Sequence, residues 1–363
     1  MLKIVLYPFT LLYGLIIAIR NFLYDSKVFK QHDFEVPVIS VGNITVGGTG
    51  KTPHAEYIIS LLKKQFNVAY LSRGYKRRTK GFLLASRNSG VSEIGDEAVQ
   101  IKQKFPEITV AVCEKRVQGI QKLINDKRFD IDVIVLDDAF QHRSVKPSIN
   151  ILLVDYTQPI FDDDLLPAGR LREPCHSRFR ANFIIYTKCP AMLKPIDQRV
   201  IKNRLDIRPY QNLFFTSIVY GEITPAEKGV KLFTNDMRKH AVLLITGIAN
   251  PQPLIDYLTP QVGEIIHLAY ADHFHYNSNE LIKIKENFDT IESAEKIMIT
   301  TEKDMVRFKS VNEKPIGFIE NLYYIPIEIK FLDKTKDLFN KRVMNYVTEN
   351  RSNSKLYKRK NGL

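Results

Sequence analysis

The chain has 363 residues, 44% of them hydrophobic and 26% charged. That globular composition, with length for two full cores, excludes wholesale disorder, a collagen-like repeat and a many-span membrane protein. Three cysteines, Cys113, Cys175 and Cys189, without a C-x-x-C pair, argue against a disulfide scaffold or a Cys-rich zinc site, and 53 Lys and Arg against 40 Asp and Glu leave a net +13 that attracts phosphates.

Residues 4–19 carry no charge and are bracketed by Lys3 and Arg20. As a helix this run reaches only ~24 Å, short of a hydrocarbon core of ~30 Å. No A-x-A-like cleavage site follows it. A membrane-surface or shallowly inserted anchor is expected, with Tyr7, Tyr13 and Tyr24 at headgroup level. A buried core helix and a true single span are the alternatives.

The run 36–41 ends at Gly42 and reads as a buried strand. Ile58, Ile59, Leu61 and Leu62 then mark a helical face behind Pro53, which suits a first helical turn. Strand-like runs recur at 68–71, 108–112, 131–136, 149–154 and 183–186, with a helix over 115–124. This alternation predicts an α/β fold with a mostly parallel, doubly wound sheet flanked by helices, and the glycine-rich loop at 45–52 makes it one of the P-loop NTPase type. After about residue 212 the pattern restarts, with strands at 242–245, 264–268 and 296–300 and helices at 253–258 and 278–288. The expected organisation is an N-terminal membrane-associated helix (1–28), a phosphate-loop domain (29–212), a smaller α/β domain (213–345) and a solvated basic tail (346–363).

The strongest motif is Thr45-Val-Gly-Gly-Thr-Gly-Lys-Thr52, between the first strand and the first helix. Glycines let backbone N–H groups turn inward around phosphate oxygens at the positive end of a helix. Thr45, Val46, Gly47, Gly48, Thr49, Gly50, Lys51 and Thr52 are therefore the candidate nucleotide site. Lys51 would reach the β- and γ-phosphates and the Thr52 hydroxyl would ligate Mg²⁺. An apolar strand ending in Asp137 and Asp138 supplies carboxylates that would hold Mg²⁺ directly or through water. A lone Asp there would read as a helix cap.

A membrane-associated regulatory ATPase of the division-site or partitioning type shares such a loop and is the alternative reading. Those proteins carry a lysine where this chain has Val46. GTP-binding relatives need N-K-x-D, where this chain has Thr187-Lys-Cys-Pro190. No aromatic-interleaved basic motif supports a nucleic-acid partner, and none is expected.

The ordered set V-G-N-I-T-V-G-G-T-G-K-T-P (41–53), S-R-G-Y-K-R (72–77), G-D-E (95–97), L-D-D-A-F-Q-H-R (136–143), L-P-A-G-R-L-R-E-P (166–174), D-H-F-H-Y (272–276) and T-E-K-D (301–304) is more specific than any one motif. With the apolar N-terminus it closely resembles the tetraacyldisaccharide 4′-kinase family, the lipid A 4′-kinases of Gram-negative bacteria, as far as about residue 310. The resemblance implies a phosphate-loop domain and a smaller α/β domain. It implies transfer of the ATP γ-phosphoryl group to the 4′-hydroxyl of an acylated glucosamine disaccharide 1-phosphate, giving lipid IVA. The setting it implies is the cytoplasmic face of the inner membrane, with the N-terminal helix on the lipid surface.

ATP with Mg²⁺ follows from the same resemblance, with Lys51 in catalysis, Asp96 as general base and His273 as its partner. Taken alone, Gly95-Asp-Glu97 reads as a helix start with Asp capping. Glu97 joins Thr52, Asp137 and Asp138 as a Mg²⁺ candidate. Ser72, Arg73, Tyr75, Gln141, His142, Arg170, Arg172 and Glu173 are candidates for the glycolipid, which needs cations for its phosphate and a carboxylate for sugar hydroxyls. His142 and His275 read equally as structural histidines, and Thr301 to Asp304 would line the nucleotide side. A monomer is expected.

Overall fold

A computed structural model describes residues 2–227 and 237–360. The chain packs as two compact units, Met1–Asn88 with Ile101–Ile218 and Ile329–Leu363, and Ser89–Gln100 with Val219–Glu328. The strands are β1 (Val38–Asn43), β2 (Val68–Ser72), β3 (Leu83–Leu84), β4 (Thr109–Val112), β5 (Val133–Asp137), β6 (Ile149–Asp155), β7 (Phe183–Thr187) and β8 (Asn212–Tyr220). They continue with β9 (Thr224–Pro225), β10 (Ala241–Thr246), β11 (Glu264–Ala269), β12 (Lys296–Thr301), β13 (Leu322–Ile325) and β14 (Ile327–Phe331). The α-helices are α1 (Leu2–Asp25), α2 (Lys51–Leu62), α3 (Val91–Ile94), α4 (Asp96–Lys104), α5 (Arg116–Asn125), α6 (Pro195–Leu205), α7 (Gln252–Leu258), α8 (Ser278–Asp289), α9 (Glu302–Lys309) and α10 (Lys336–Lys360).

The first unit's sheet runs β14-β8-β7-β6-β1-β5-β2-β4-β3. From β4 to β8 the pairings are parallel, and β3 adds an antiparallel edge. Every residue of β1, β2, β5, β6 and β7 is buried, which is why these strands read as continuous apolar runs rather than alternating ones. β1 lies between β5 and β6, so the loops leaving the carboxyl ends of all three emerge at one edge of the sheet.

The second unit's sheet runs β11-β10-β12-β13-β9, parallel except at β9. Along β10 the side chains alternate between two cores. Leu243 and Ile245 join Met298, Phe308 and Phe318, whereas Val242 and Leu244 join Leu258, Ile297 and Ile299.

The division differs from the expected 213–345 at three places. Residues 89–100 pack with the second unit. The junction falls after Ile218, and residues from 329 onward return to the first unit. The return has a physical basis: β14 takes its place beside β8, and the Leu332 N–H donates to the Phe215 carbonyl at 2.9 Å. Phe339 of α10 then packs on Phe183, Phe214, Phe331 and Tyr57, with ring centroids 4.7–6.1 Å apart. Phe339, Val343 and Val347 recur every fourth position and are buried. The tail expected over 346–363 therefore begins inside a helix that continues to Lys360. Its last three residues, 361–363, lie outside the described residues.

α1 extends beyond the uncharged run, to Asp25. Only a narrow stripe of it packs on the rest of the first unit. Thr10 Oγ1 accepts the Ala168 N–H at 3.0 Å, Tyr13 Oη donates to the Arg172 carbonyl at 2.8 Å, and Arg143 donates to the Asn21 carbonyl at 3.0 Å. Thr10, Ile17 and Asn21 are buried, while Ile4, Phe9, Leu11, Leu12, Leu15, Ile16, Ile19 and Phe22 are exposed. By length and composition, Lys3–Asp25 is the one stretch among the described residues that passes as a membrane span.

The docking of α10 predicts that Phe339→Ala lowers the unfolding free energy by ~3–5 kcal/mol through a cavity in this aromatic cluster. Urea titration checks it. A loss below ~1 kcal/mol would mean that the cluster collapses around the smaller side chain.

Candidate functional site

In the first unit, the chain leaves β1 at Asn43 and enters α2 at Lys51. Gly47 (φ 105°) and Gly50 (φ 81°) take positive φ, a region costly for residues with a β-carbon. A β-carbon on Gly47 or Gly48 would meet nothing within 4 Å, so their backbone faces open space. Gly50 is the N-cap of α2 and no side chain caps the helix. The first-turn N–H groups thus point outward at the positive end of the helix dipole.

The loop is tied down from behind. The Val46 N–H donates to the Arg170 carbonyl at 2.8 Å. The Thr187 hydroxyl donates to the Thr49 carbonyl at 3.0 Å, and the Asn43 amide to Thr49 Oγ1 at 3.0 Å. Thr45 pairs with Leu171 in an isolated antiparallel bridge. His54 is buried beneath: Nδ1 donates to the Gly50 carbonyl at 2.7 Å and Nε2 accepts from the Thr216 hydroxyl at 3.1 Å. Burial pushes its imidazole down to about 4, so the ring is neutral.

β5 ends at Asp137, opposite Val41 in the register with β1. Asp137 is buried and both its oxygens are engaged, Oδ2 by Tyr70 Oη at 2.7 Å and Oδ1 by the Asp138 N–H at 2.8 Å. Burial, and then the Asp138 charge, raise its carboxyl above the usual range. Asp138 takes φ 46°. It meets Lys51 Nζ at 3.5 Å and Arg172 Nη1 at 3.2 and 3.3 Å. Burial alone would raise Asp138, but Lys51 and Arg172 outweigh it and hold the carboxyl below its ordinary value. These loose pairs suit Asp138 to a cation better than the fully bonded Asp137. Among the described residues no group of three or more His, Cys, Asp or Glu forms a metal cage. Asp138 and the Thr52 hydroxyl are the protein oxygens that could hold Mg²⁺, which takes one or two such ligands and fills its sphere with phosphate and water.

The expected glycolipid residues all fall in the first unit. Gln141 Nε2 donates to the Asn43 carbonyl at 2.7 Å and Arg170 Nε pairs with Asp163 at 2.7 Å. Burial, then the nearby Arg116, push His142 down to about 4. Arg73 and Tyr75 are exposed, whereas Ser72 is buried with its Oγ accepting the Gly74 N–H at 3.3 Å. Glu173, expected to meet sugar hydroxyls, is fully enclosed and faces Arg180 at 2.6 Å. The fold uses it as an internal counter-ion.

In the second unit, Asp96 opens α4 and His273 sits in the loop after β11 with φ 58°. His273 Nδ1 is 2.8 Å from Asp96 Oδ2. Lys303 Nζ lies 3.1 Å from His273 Nε2 and Arg307 Nη2 lies 3.2 Å from Nδ1; the Asp96 carboxylate can only accept, so Nδ1 carries the proton toward it. Arg307 donates to the same Asp96 Oδ2 from Nη2 at 2.7 Å and from Nε at 3.2 Å. Oδ1 accepts the Glu97 N–H at 3.0 Å. Burial alone would raise the Asp96 carboxyl, yet His273, Lys303 and Arg307 together hold it well below the carboxylate range. His275 is exposed.

Glu97 belongs to the second unit, whereas Thr52, Asp137 and Asp138 belong to the first. Thr301 caps α9 and Asp304 joins the Asp96 network of the second unit. Sequence reasoning missed Arg307 altogether. The available signal was Asp304 and Arg307 three apart on an amphipathic helix, a pair whose burial no spacing declares.

The family model described as LpxK: Tetraacyldisaccharide-1-P 4'-kinase matches residues 2–346. Relatives named tetraacyldisaccharide 4'-kinase include one from Phocaeicola vulgatus, 47% identical over 96% of this chain and 96% of its own length. Another, from Bacteroides thetaiotaomicron, is 44% identical over 98% of this chain and 96% of its own. A crystal structure of LpxK from Aquifex aeolicus in complex with ATP superposes with a TM-score of 0.74 and 28% identity, over 96% of this chain and 99% of that one.

His54 predicts an acid sensitivity of the phosphate loop's support. Its folded-state value of about 4 lies below the ordinary ~6.5, so the unfolded chain binds the extra proton between those values and stability rises with pH across that window. The contribution, up to ~3 kcal/mol, is complete above pH ~6.5 and lost as pH falls to ~4. Urea unfolding of wild type and His54→Gln at pH 7 and 4.5 should show the wild-type advantage shrinking in acid. A gap independent of pH would contradict a neutral buried imidazole.

Proposed function

The chain belongs to the tetraacyldisaccharide-1-P 4'-kinase family, and from that membership we infer how its own residues carry the reaction. It is an ATP-dependent kinase that phosphorylates the 4′-hydroxyl of tetraacyldisaccharide 1-phosphate in lipid A biosynthesis. The observation that carries the residue assignment is the Asp96–His273 pair, 2.8 Å apart across 177 residues of chain. Such a pairing of carboxylate and imidazole matches the demand of alcohol phosphorylation, in which the attacking hydroxyl must lose its proton.

In this reading the loop from Thr45 to Thr52 binds the ATP phosphates through its inward N–H groups, and Lys51 exchanges Asp138 for the β- and γ-phosphates. Thr52 and Asp138 would hold Mg²⁺, which when bound neutralises charge on the phosphates. Asp137, engaged by Tyr70, fixes the strand end from which Asp138 projects. Asp96 accepts the hydroxyl proton at Oδ1, because Oδ2 is taken by His273 and Arg307. A sugar hydroxyl is a poor acid, so proton removal accompanies phosphoryl transfer rather than preceding it. The Nδ1–H of His273 keeps the carboxylate oriented. Arg172, Arg170, Arg73 and Tyr75 are proposed for the anionic glycolipid, with Gln141 and the neutral His142 as hydrogen-bonding groups.

The exposed apolar face of α1 is proposed to rest on the lipid of the inner membrane's cytoplasmic face. Its polar stripe is occupied by the first unit along its length, which supports a helix lying along the surface rather than one crossing alone.

Two measurements test this reading. With labelled Mg-ATP and tetraacyldisaccharide 1-phosphate in micelles, Lys51→Ala should abolish transfer, and Asp96→Ala should lower kcat by ~10²–10⁴-fold while ATP still binds. Full activity of Asp96→Ala would remove it as the base. Separately, Leu11→Asp with Leu15→Asp and Phe22→Asp should move the protein from the membrane to the soluble fraction without changing its melting temperature. Unchanged partition would place attachment elsewhere.

A further inference from the structure

The Asp96 carboxylate is held at one oxygen by a residue that no sequence motif singled out. Arg307 is buried, as are Asp96 and Asp304. Its guanidinium bridges the two carboxylates. Nη2 and Nε reach Asp96 Oδ2 at 2.7 and 3.2 Å, and Nη1 reaches Asp304 Oδ1 at 2.7 Å and the Gly247 carbonyl at 2.9 Å.

The far end of this bridge is itself fixed. Asp304 Oδ2 accepts the Gly247 N–H at 2.9 Å and the Thr301 hydroxyl at 2.8 Å. Thr301 Oγ1 also caps α9 by accepting the Asp304 N–H at 3.0 Å. A β-carbon on Gly247 would lie 2.9 Å from both Asp304 Oδ1 and Tyr276 Oη, so the end of β10 is packed tightly against the bridge. The planar fork therefore transmits a fixed position from the start of α9 to Asp96.

We propose that Arg307 is a positioning residue for the reaction: anchored on Asp304, it pins Asp96 Oδ2 and leaves Oδ1 as the oxygen presented to the acceptor hydroxyl. This rests on the assignment of Asp96 as base. Arg307 acts through Asp96, and its Nη2 also lies 3.2 Å from His273 Nδ1. A lysine keeps the positive charge between the two carboxylates but cannot span both with a planar fork.

The test is a double-mutant cycle on the full chain, read as steady-state transfer from Mg-ATP to tetraacyldisaccharide 1-phosphate. Arg307→Lys should lower kcat by about 30-fold with the KM for Mg-ATP changed less than about 3-fold. In an Asp96→Asn background the same substitution should cost nothing further, because the group it positions is gone. Equal losses in both backgrounds, or an unchanged kcat in the wild-type background, would overturn the proposal. Asp96→Asn with wild-type kcat would remove the base itself and the proposal with it, an outcome distinct from loss of Arg307's role alone. Asp304→Asn leaves Asp96 and Arg307 in place, and should give the same kcat loss and the same non-additivity. It decides the matter if Arg307→Lys does not fold.

Discussion

β1 runs parallel to β5 on one side and to β6 on the other, with Val41 opposite Asp137 and Asn43 opposite Leu153. Parallel strands end on the same side of a sheet, so this double pairing brings the glycine loop and the Asp137–Asp138 pair to one edge. Thr187, at the end of β7, reaches the same loop through its hydroxyl. A slip of one residue in either register would turn each of these side chains to the opposite face. Burial of the strands on both faces makes that slip costly, and the first unit's candidate nucleotide site depends on it.

Charge burial shapes both units, with opposite outcomes. A carboxylate removed from water is raised unless cations or hydrogen bonds favour its charged form. Asp137 meets a tyrosine, a backbone N–H and a second carboxylate, and is raised. Asp96 meets an imidazole, a lysine and an arginine, and is lowered. The fold thus separates two acidic groups by environment alone, one kept as a bonded strut and one kept ionised. Glu173, fully buried, faces the partly buried Arg180 at 2.6 Å as part of the architecture.

α1 obeys a different constraint. Its polar contacts fall on the stripe through Thr10, Tyr13 and Asn21, and the remaining circumference is apolar and exposed. An exposed apolar face of that extent is stable only against another apolar phase or partner. The stripe is what distinguishes it from a helix apolar all round, and Arg143, reaching both the Asn21 carbonyl and the Asp25 carboxylate, secures its C-terminal end to the first unit.

Period and composition by themselves determined the α/β class, the strands around 38–43, 133–137 and 149–155, the glycine loop and the apolar N-terminus. These are local features: a buried parallel strand must be continuously apolar, and a phosphate loop must carry glycine where φ turns positive. The pairing of Asp96 with His273 entered through a family resemblance, since no spacing links residues 177 apart. The tertiary structure alone decided that β14 and α10 return to the first sheet, that residues 89–100 leave it, and that Glu173 is enclosed. It alone picked Arg307 from 53 basic residues. Which sheet a strand joins, and which charge lies beside which, depend on long-range packing and burial, and neither leaves a period in the chain.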